Sequence, residues 1–204
     1  MDLYPLLRPL LFRLAPETAH NLALRALASG LLPGQPRKEY PNLHQTLFGL
    51  EFANPVGLAP GFDKNAEAVQ GLIKQGFSFL ELGTVTPLPQ PGNPKPRLFR
   101  LVRDQAIINR LGFNNEGLKV FCRNLSAYRP TEQGDVRSGG GSEATCPPKP
   151  GGRRRMRAKA LSKMILGANI GKNKDSADAV ADYLAALEAV APLADYVTIN
   201  ISSP

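Results

Sequence analysis

The sequence predicts an α/β fold built on parallel strands. Four short apolar stretches, at 54–59, 77–83, 165–170 and 196–201, each end in small or amide-bearing residues. Amphipathic helical patterns follow two of them, at about 64–75 and 176–191. Strand, loop and helix in this repeating order form the unit of a parallel sheet. The chain therefore predicts about the first four strands of a (β/α)8 TIM barrel, preceded by a small helical subdomain.

The predicted organisation has three parts. Residues 1–32 form an N-terminal amphipathic helical subdomain, 33–48 a linker rich in Pro and Gly, and 49–204 the N-terminal half of the barrel. Within the barrel region, residues 131–164 have no hydrophobic period and little apolar content, and we interpret them as a disordered insertion. An insertion and a locally altered reading frame both explain this stretch.

Composition indicates an ordinary globular protein, with 43% hydrophobic and 21% charged residues in 204. The net charge is +8, but 131–164 hold eight basic and three acidic side chains, so five of the eight charges lie there. This local concentration favours a solvated loop over nucleic-acid binding, for which Arg153 to Arg157 are the alternative interpretation. The two cysteines indicate no disulfide framework, and no apolar run is long enough to span a membrane. Arg8, Pro9 and Arg13 interrupt the first apolar stretch, so we expect no signal peptide.

Two short helices are predicted at the N-terminus. Leucines recur at helical spacing over 2–14, where Pro9 should kink or divide the helix. A second helix is expected over 16–29, with Pro16 in its first turn and Gly30 just after its end. Periodicity leaves two interpretations open: a helical cap on the core, or a hairpin whose apolar faces contact a membrane surface.

The remaining elements lie between the barrel strands. Residues 98–101 and 106–109 are predicted to form a hairpin, and 115–128 a helix with Cys122 on its apolar face. In the last predicted helix an apolar stripe should face inward, formed by Val180, Tyr183, Leu184, Leu187 and Val190.

The strand ends carry the candidate chemistry. Pro60-Gly61, Gly83-Thr84, Asn169 and Asn200 should meet at one face of a barrel, where amides and hydroxyls can bind the edge of a planar heterocycle. Lys64 could bind a substrate carboxylate there. Ser203 is a candidate proton-transfer group, although serine without a nearby histidine is a poor base. No Cys/His spacing indicates a metal site.

Six segments together resemble the class 2, quinone-dependent dihydroorotate dehydrogenases: NPVGLAPGFDK at 54–64, ELGTVTP at 81–87, PQPGNPKPRLFR at 89–100, INRLGFNN at 108–115, GANIGKNKD at 167–175 and NISSP at 200–204. The two N-terminal helices are similar to those of class 2 as well. The resemblance implies an FMN enzyme that oxidises dihydroorotate to orotate in pyrimidine synthesis and passes electrons to a membrane quinone.

The resemblance also implies roles for individual residues. The implied FMN contacts are Pro60, Gly61, Phe62, Asp63, Lys64, Thr84, Asn169 and Asn200. The implied substrate contacts are Lys64, Asn109, Arg110, Leu111, Gly112, Phe113 and Asn200. Ser203 matches the catalytic base, which would remove the C5 proton as hydride leaves C6. His20 and Arg100 resemble the polar pair of the quinone tunnel, which would make the protein peripheral on the cytoplasmic side of the cell membrane.

Members of this family continue well beyond the Ser-Ser-Pro motif. We therefore expect the 204 residues to correspond to the N-terminal part of such an enzyme. The alternative is an inactive fragment that associates with other chains through exposed barrel edges.

Overall fold

A computed structural model gives the fold of residues 4–35, 40–128 and 164–202, which are the residues that the structure describes. Almost all of the predicted insertion, 131–163, lies outside them. Its last residue, Met164, is buried in the core immediately before a strand.

The centre of the molecule is a four-stranded parallel sheet. Its strands are β3 (Gly57–Leu58), β4 (Phe79–Val85), β7 (Ile165–Ile170) and β8 (Tyr196–Ile199), in the order β3-β4-β7-β8. Each strand pairs in parallel with the next along this order. The prediction of a partial parallel barrel is confirmed.

Three helices cover one face of this sheet: α3 (Val69–Ile73), α4 (Gly117–Leu125) and α5 (Ala179–Val190). Alternate strand residues, such as Leu80 and Leu82, are fully buried against Leu72 and Phe121 of the helices. The opposite face carries Phe79 and Glu81, which are only partly buried. The hydrophobic core therefore lies between the sheet and the helices. The other face of the sheet can carry polar side chains such as Glu81.

Two aromatic rings lie across glycines of the neighbouring strand. Gly57 pairs with Phe79 and Gly167 pairs with Tyr196 in the parallel register. A Cβ added at either glycine would collide with the ring of its partner. Both positions therefore require glycine, because the ring on the neighbouring strand occupies the space of a side chain. Each ring packs its own strand against the paired strand.

The N-terminal helices are α1 (Tyr4–Arg13) and α2 (Pro16–Ser29). The predicted bounds of α2 are confirmed, and Gly30 ends it in the left-handed conformation with φ 74°. α1 is one continuous helix that includes Pro9, so the predicted division is wrong. No residue of α1 is buried, and α2 buries only Leu27. Among the described residues, no helix has the length and apolar character needed to cross a bilayer.

Two hairpins complete the part of the fold that the structure describes. The predicted hairpin is confirmed as β5 (Leu98–Leu101) paired with β6 (Ala106–Asn109). The range 33–48, predicted as a linker, contains a 3-10 turn at Pro41–Leu43 and the strand β1 (Gln45–Leu47), which pairs with β2 (Leu50–Phe52). The 3-10 turn and β1 are exposed throughout, which explains why the hydrophobic pattern of this range gives no signal.

The apolar stripe predicted on α5 is only partly correct. Val190 is fully buried and Tyr183 packs against the core. Val180, Leu184 and Leu187 remain 67%, 53% and 37% exposed. The helix reaches the core through Val190 and the small Ala186, so the larger residues on its flank stay outside it.

Candidate active site

Three predicted residues meet at the carboxyl ends of neighbouring strands. The Thr84 hydroxyl on β4 donates to Oδ1 of Asn169 on β7 at 2.6 Å. Nδ2 of Asn200, just after β8, donates to Thr84 Oγ1 at 3.1 Å and to Asn169 Oδ1 at 3.3 Å. Thr84 and Asn169 are buried, at 5% and 3% exposure. We call Thr84, Asn169 and Asn200 the amide array.

Glu81 and Tyr196 lie one layer below the amide array. Asn169 Nδ2 donates to Glu81 Oε1 at 2.8 Å, and the Tyr196 hydroxyl donates to Glu81 Oε2 at 3.1 Å. Burial, together with the Glu81 carboxylate, raises the pKa of Tyr196 well above its usual range. The tyrosine therefore stays a neutral donor, and both oxygens of Glu81 have a partner.

The loop after β3 lies against the end of β4. The Gly61 N–H donates to the Gly83 carbonyl at 2.6 Å, and the Gly83 N–H donates to the Asp63 carbonyl at 3.0 Å. The buried Asp63 carboxylate accepts from the N–H groups of Glu67 and Ala68, and burial raises its pKa. This carboxylate supports the loop itself, whereas Pro60 is exposed.

A cavity of about 510 Å³ opens between this loop, α2 and the β5–β6 hairpin. Gly61, Phe62, Asp63, Lys64, Asn109 and Leu111 line it, together with His20 from α2. Burial, with a smaller contribution from Arg97, lowers the pKa of Lys64. The Oδ1 atom of Asn114 is buried beside the cavity without a hydrogen-bond partner in the described residues. The cavity therefore combines a partly buried cation, Lys64, with an unused acceptor, Asn114 Oδ1.

The segment 109–113 is positioned by the long loop that precedes β5. A Cβ on Gly112, whose φ is 70°, would come within 2.8 Å of the Asn93 backbone nitrogen. The Asn93 amide in turn donates to the Arg110 carbonyl at 2.9 Å. The Phe113 carbonyl accepts from the Asn115 amide at 2.7 Å. The Arg110 guanidinium donates to the Pro96 carbonyl at 3.1 Å, so this side chain also holds the loop.

His20 and Arg100 occupy different surroundings. The His20 ring contacts the Phe62 ring edge-on at 4.9 Å and lines the cavity. Arg100 donates to the Leu14 carbonyl at 2.8 Å and lies 4.8 Å from the centre of the Phe12 ring. It is not among the described residues that line the cavity. Arg100 thus contacts residues at the end of α1, whereas His20 lines the cavity.

Ser203 lies outside the described residues. The loop that leads to it is held by the amide array, because Oδ1 of Asn200 accepts from the Ser202 N–H at 3.0 Å. The Tyr183 hydroxyl of α5 donates to the Asn200 carbonyl at 2.8 Å. These two contacts, together with those of the amide array, hold Asn200 in place three residues before Ser203, the candidate base.

The sequence profile described as dihydroorotate dehydrogenase matches residues 42–204, the greater part of the chain. The chain belongs to the dihydroorotate dehydrogenase family. A dihydroorotate dehydrogenase (quinone) of Novosphingobium aromaticivorans is 49% identical over 100% of this chain and 51% of its own length. The mitochondrial dihydroorotate dehydrogenase (quinone) of Oryza sativa subsp. japonica is 46% identical over 98% of this chain and 41% of its own.

Solved dihydroorotate dehydrogenases have the same fold. The Eimeria tenella enzyme in complex with ferulenol has a TM-score of 0.73 and 41% identity, over 93% of this chain and 44% of its own. The ligand-free enzyme of the same organism gives a TM-score of 0.72 with 43% identity. The chain spans about half the length of the curated relatives it matches.

Sequence reasoning did not identify the residues that support the amide array and the cavity. Glu81 is a charged residue in the middle of an apolar strand, which is the signal that could have found it. Arg97 is 6% exposed and forms a bidentate ion pair with Glu17 of α2. No pattern in the sequence around Arg97 indicates this pair. The Asn173 amide donates to Thr86, Leu88 and Gln90, across 83 to 87 residues of sequence. Such distant partners are not visible in a single sequence.

Proposed function

We propose that the whole protein is a quinone-dependent dihydroorotate dehydrogenase, which oxidises (S)-dihydroorotate to orotate with FMN and transfers the electrons to a membrane quinone in pyrimidine synthesis. The observation that carries this proposal is the amide array at the ends of three adjoining parallel strands, in a chain of this family. Ligands of α/β barrels bind at this end of the strands.

The donor set of the site fits FMN. A flavin ring presents an edge of alternating donors and acceptors, and buried amides and hydroxyls such as Thr84, Asn169 and Asn200 complement it. The unused Asn114 Oδ1 agrees with a bound group nearby, as does the open space at Gly61, where an added Cβ would meet no described atom within 4 Å. Phe62 and the main chain of Pro60, Asp63 and Lys64 would complete the contacts. When bound, FMN supplies the acceptor for hydride.

Lys64 and Asn109 would bind dihydroorotate. Burial lowers the pKa of Lys64, and a bound carboxylate would compensate that cost by pairing with the ammonium. Asn109 and Leu111 line the same cavity. Arg110, Gly112 and Phe113 hold the backbone of this segment, and Asn200 would contact both ligands.

Ser203 would be the base that accepts the C5 proton. The hydrogen bond from the Ser202 N–H to Asn200 supports this role, because it ties the approach to Ser203 to the amide array. In the full-length enzyme, Ser203→Ala should lower kcat by a factor of about 100 or more near neutral pH while FMN absorbance is retained. Unchanged turnover would exclude Ser203 as the base.

We also propose a peripheral position on the cytoplasmic side of the cell membrane, and the exposed N-terminal helices support the membrane contact. Leu6, Leu7 and Leu10 of α1 and Leu22 of α2 are exposed, as an interfacial helix pair requires. His20 and Arg100 would flank the path of the quinone between these helices and the cavity. Replacing Leu6 and Leu10 by glutamine should reduce sedimentation of the protein with phosphatidylcholine–phosphatidylglycerol vesicles, and undiminished binding would argue against this surface.

The activity test compares this chain with a form extended to the length of its relatives. The extended protein should be yellow, with the visible absorbance of a flavin, and should form orotate when dihydroorotate and a soluble ubiquinone are supplied. An extended protein that folds and binds no FMN would overturn the proposal. Mutation of Lys64 to Ala should raise KM for dihydroorotate more than it lowers FMN occupancy.

An inactive fragment is a second candidate, favoured by the exposed edges of the sheet. β3 and β8 each pair with one strand in the described part of the chain, and Val180, Leu184 and Leu187 are exposed on α5. A colourless, self-associating 204-residue chain alongside an active extended form would support it. A monomeric, yellow and active chain of this length would exclude it.

A further inference from the structure

Glu81 is a charged residue on the inner face of the sheet, between the core strands. It pairs in register with Gly167, which in turn pairs with Tyr196, so that Glu81, Gly167 and Tyr196 form one layer. The missing side chain of Gly167 leaves the space in which the Tyr196 ring reaches across to Glu81. The carboxylate therefore occupies a built position with a donor on each oxygen.

The chemistry of this carboxylate dictates which way the Asn169 amide faces. A carboxylate oxygen only accepts hydrogen bonds, and an amide has one donor end and one acceptor end. With Nδ2 toward Glu81, the contact at 2.8 Å is a charge-assisted hydrogen bond. With the amide reversed, two oxygens would meet at that distance. Only one of the two amide orientations is therefore compatible with Glu81.

This orientation sets the polarity of the whole amide array. Asn169 Oδ1 is turned to the barrel mouth, where it accepts from the Thr84 hydroxyl and from Asn200 Nδ2. Asn200 consequently keeps its Oδ1 for the Ser202 N–H. A chain of hydrogen bonds thus leads from Glu81 to the residue before Ser203.

We propose that Glu81 is a positioning residue, which fixes the Asn169 amide and through it the arrangement of donors and acceptors that the amide array offers to its ligand. The orientation itself follows from the hydrogen bonds of this chain. Its consequence for FMN binding rests on the proposed function.

The test is a reversal of the hydrogen bond between positions 81 and 169. Asn169→Asp places a second carboxylate against Glu81 and should be strongly unfavourable. Glu81→Gln alone leaves the Asn169 amide a partner in either orientation and should cost little. The double variant restores a donor–acceptor pair, because the new amide at position 81 can donate to the new carboxylate at position 169, whose other oxygen still faces Thr84 and Asn200. The matched control is Tyr196→Phe, which removes the other bond to Glu81 and should not rescue Asn169→Asp.

Two readouts separate this inference from the proposed function. In urea unfolding of the FMN-free chain, Asn169→Asp should lower the midpoint markedly when position 81 is the native glutamate and much less when it is combined with Glu81→Gln. In the extended protein, Glu81→Gln keeps all three residues of the amide array but lets the Asn169 amide reverse, so it should raise the Kd for FMN about threefold or more. If Asn169→Asp fails to fold, recovery of folding in the double variant is the supporting result.

The outcomes that overturn the proposal are specific. An equal cost of Asn169→Asp with and without Glu81→Gln would show that Glu81 does not orient the amide. An unchanged Kd for FMN in Glu81→Gln would show that the orientation does not serve ligand binding. If the wild-type protein binds no FMN, the proposed function fails, and the unfolding comparison still decides the role of Glu81.

Discussion

His20 is a half-buried titratable side chain between the N-terminal helices and the barrel. Its ring packs against Phe62 and lines the cavity. Burial is the main cause that lowers its pKa from the ordinary 6.5, and the nearby Lys64 ammonium lowers it further, while Glu17 acts in the opposite direction. The folded protein therefore favours the neutral imidazole.

This environment predicts a pH dependence of stability. Because the pKa of His20 is lower in the folded state, its contribution is present above about pH 6.5 and is lost as the pH falls through the folded pKa. We expect the free energy of unfolding, measured by urea denaturation, to decrease as the pH falls below about 6.5. In His20→Gln this part of the slope should disappear. An unchanged slope in that variant would assign the dependence to other groups.

Thr84 is the residue on which the amide array depends most directly. Thr84→Val keeps the shape of the side chain but leaves Asn169 and Asn200 without their shared hydroxyl, and we expect a loss of about 1–3 kcal/mol in the free energy of unfolding. Thr84→Ser keeps the hydroxyl and should lose less. Chemical denaturation of the three proteins measures the difference, and equal losses in both variants would mean that the methyl group, not the hydroxyl, matters.

At the scale of elements, α2 is packed against α3 through a glycine. A Cβ on Gly71 would come within 2.7 Å of the carbonyl carbon of Leu27, the one buried residue of α2. The backbone of α2 at Leu27 therefore lies directly against Gly71 of α3. This contact and the ion pair between Glu17 and Arg97 hold the N-terminal helices against the rest of the fold.

Gly71→Ala should therefore be destabilising although alanine favours helices over glycine by about 1 kcal/mol. We expect the clash with α2 to outweigh that gain, with a net loss of about 1–3 kcal/mol in urea denaturation. Gly30→Ala is the control: its site has open space in the described structure, so it measures only the cost of the left-handed backbone. If Gly71→Ala stabilised the protein, α2 would be able to move away from the added methyl group at little cost.

The elements that the sequence predicts well have either clear start and stop signals or a continuous apolar run. Helix α2 has Pro16 and Gly30 as start and stop signals, and β7 is buried throughout, so both were predicted with their observed bounds. Helices α3 and α4 were predicted too long, since Asp63 and Asn115 satisfy backbone groups before them in non-helical turns. The Thr84–Asn169–Asn200 group follows from strand ends, whereas Glu81, Tyr196 and Arg97 act through partners 80 or more residues away.

For the whole molecule, we expect the exposed apolar residues of α5 to promote self-association in solution. Leu184→Glu with Leu187→Glu should reduce self-association of the 204-residue chain, because it puts charge on a flank that is not part of the core. Size-exclusion chromatography with light scattering measures the mass, and far-ultraviolet circular dichroism checks that the fold is kept. Leu6→Lys with Leu10→Lys is the control on α1. If only that control reduced the mass, association would occur through the N-terminal helices.

The ring of Tyr196 over Gly167 also has an evolutionary consequence. Any residue larger than glycine at 167 requires a smaller one at 196, and the loss of the tyrosine removes one of the two donors to Glu81. Positions 167, 196 and 81 should therefore change together or not at all as lineages diverge. A single replacement at 167 would be an intermediate of low fitness, and the three positions would be inherited as one unit.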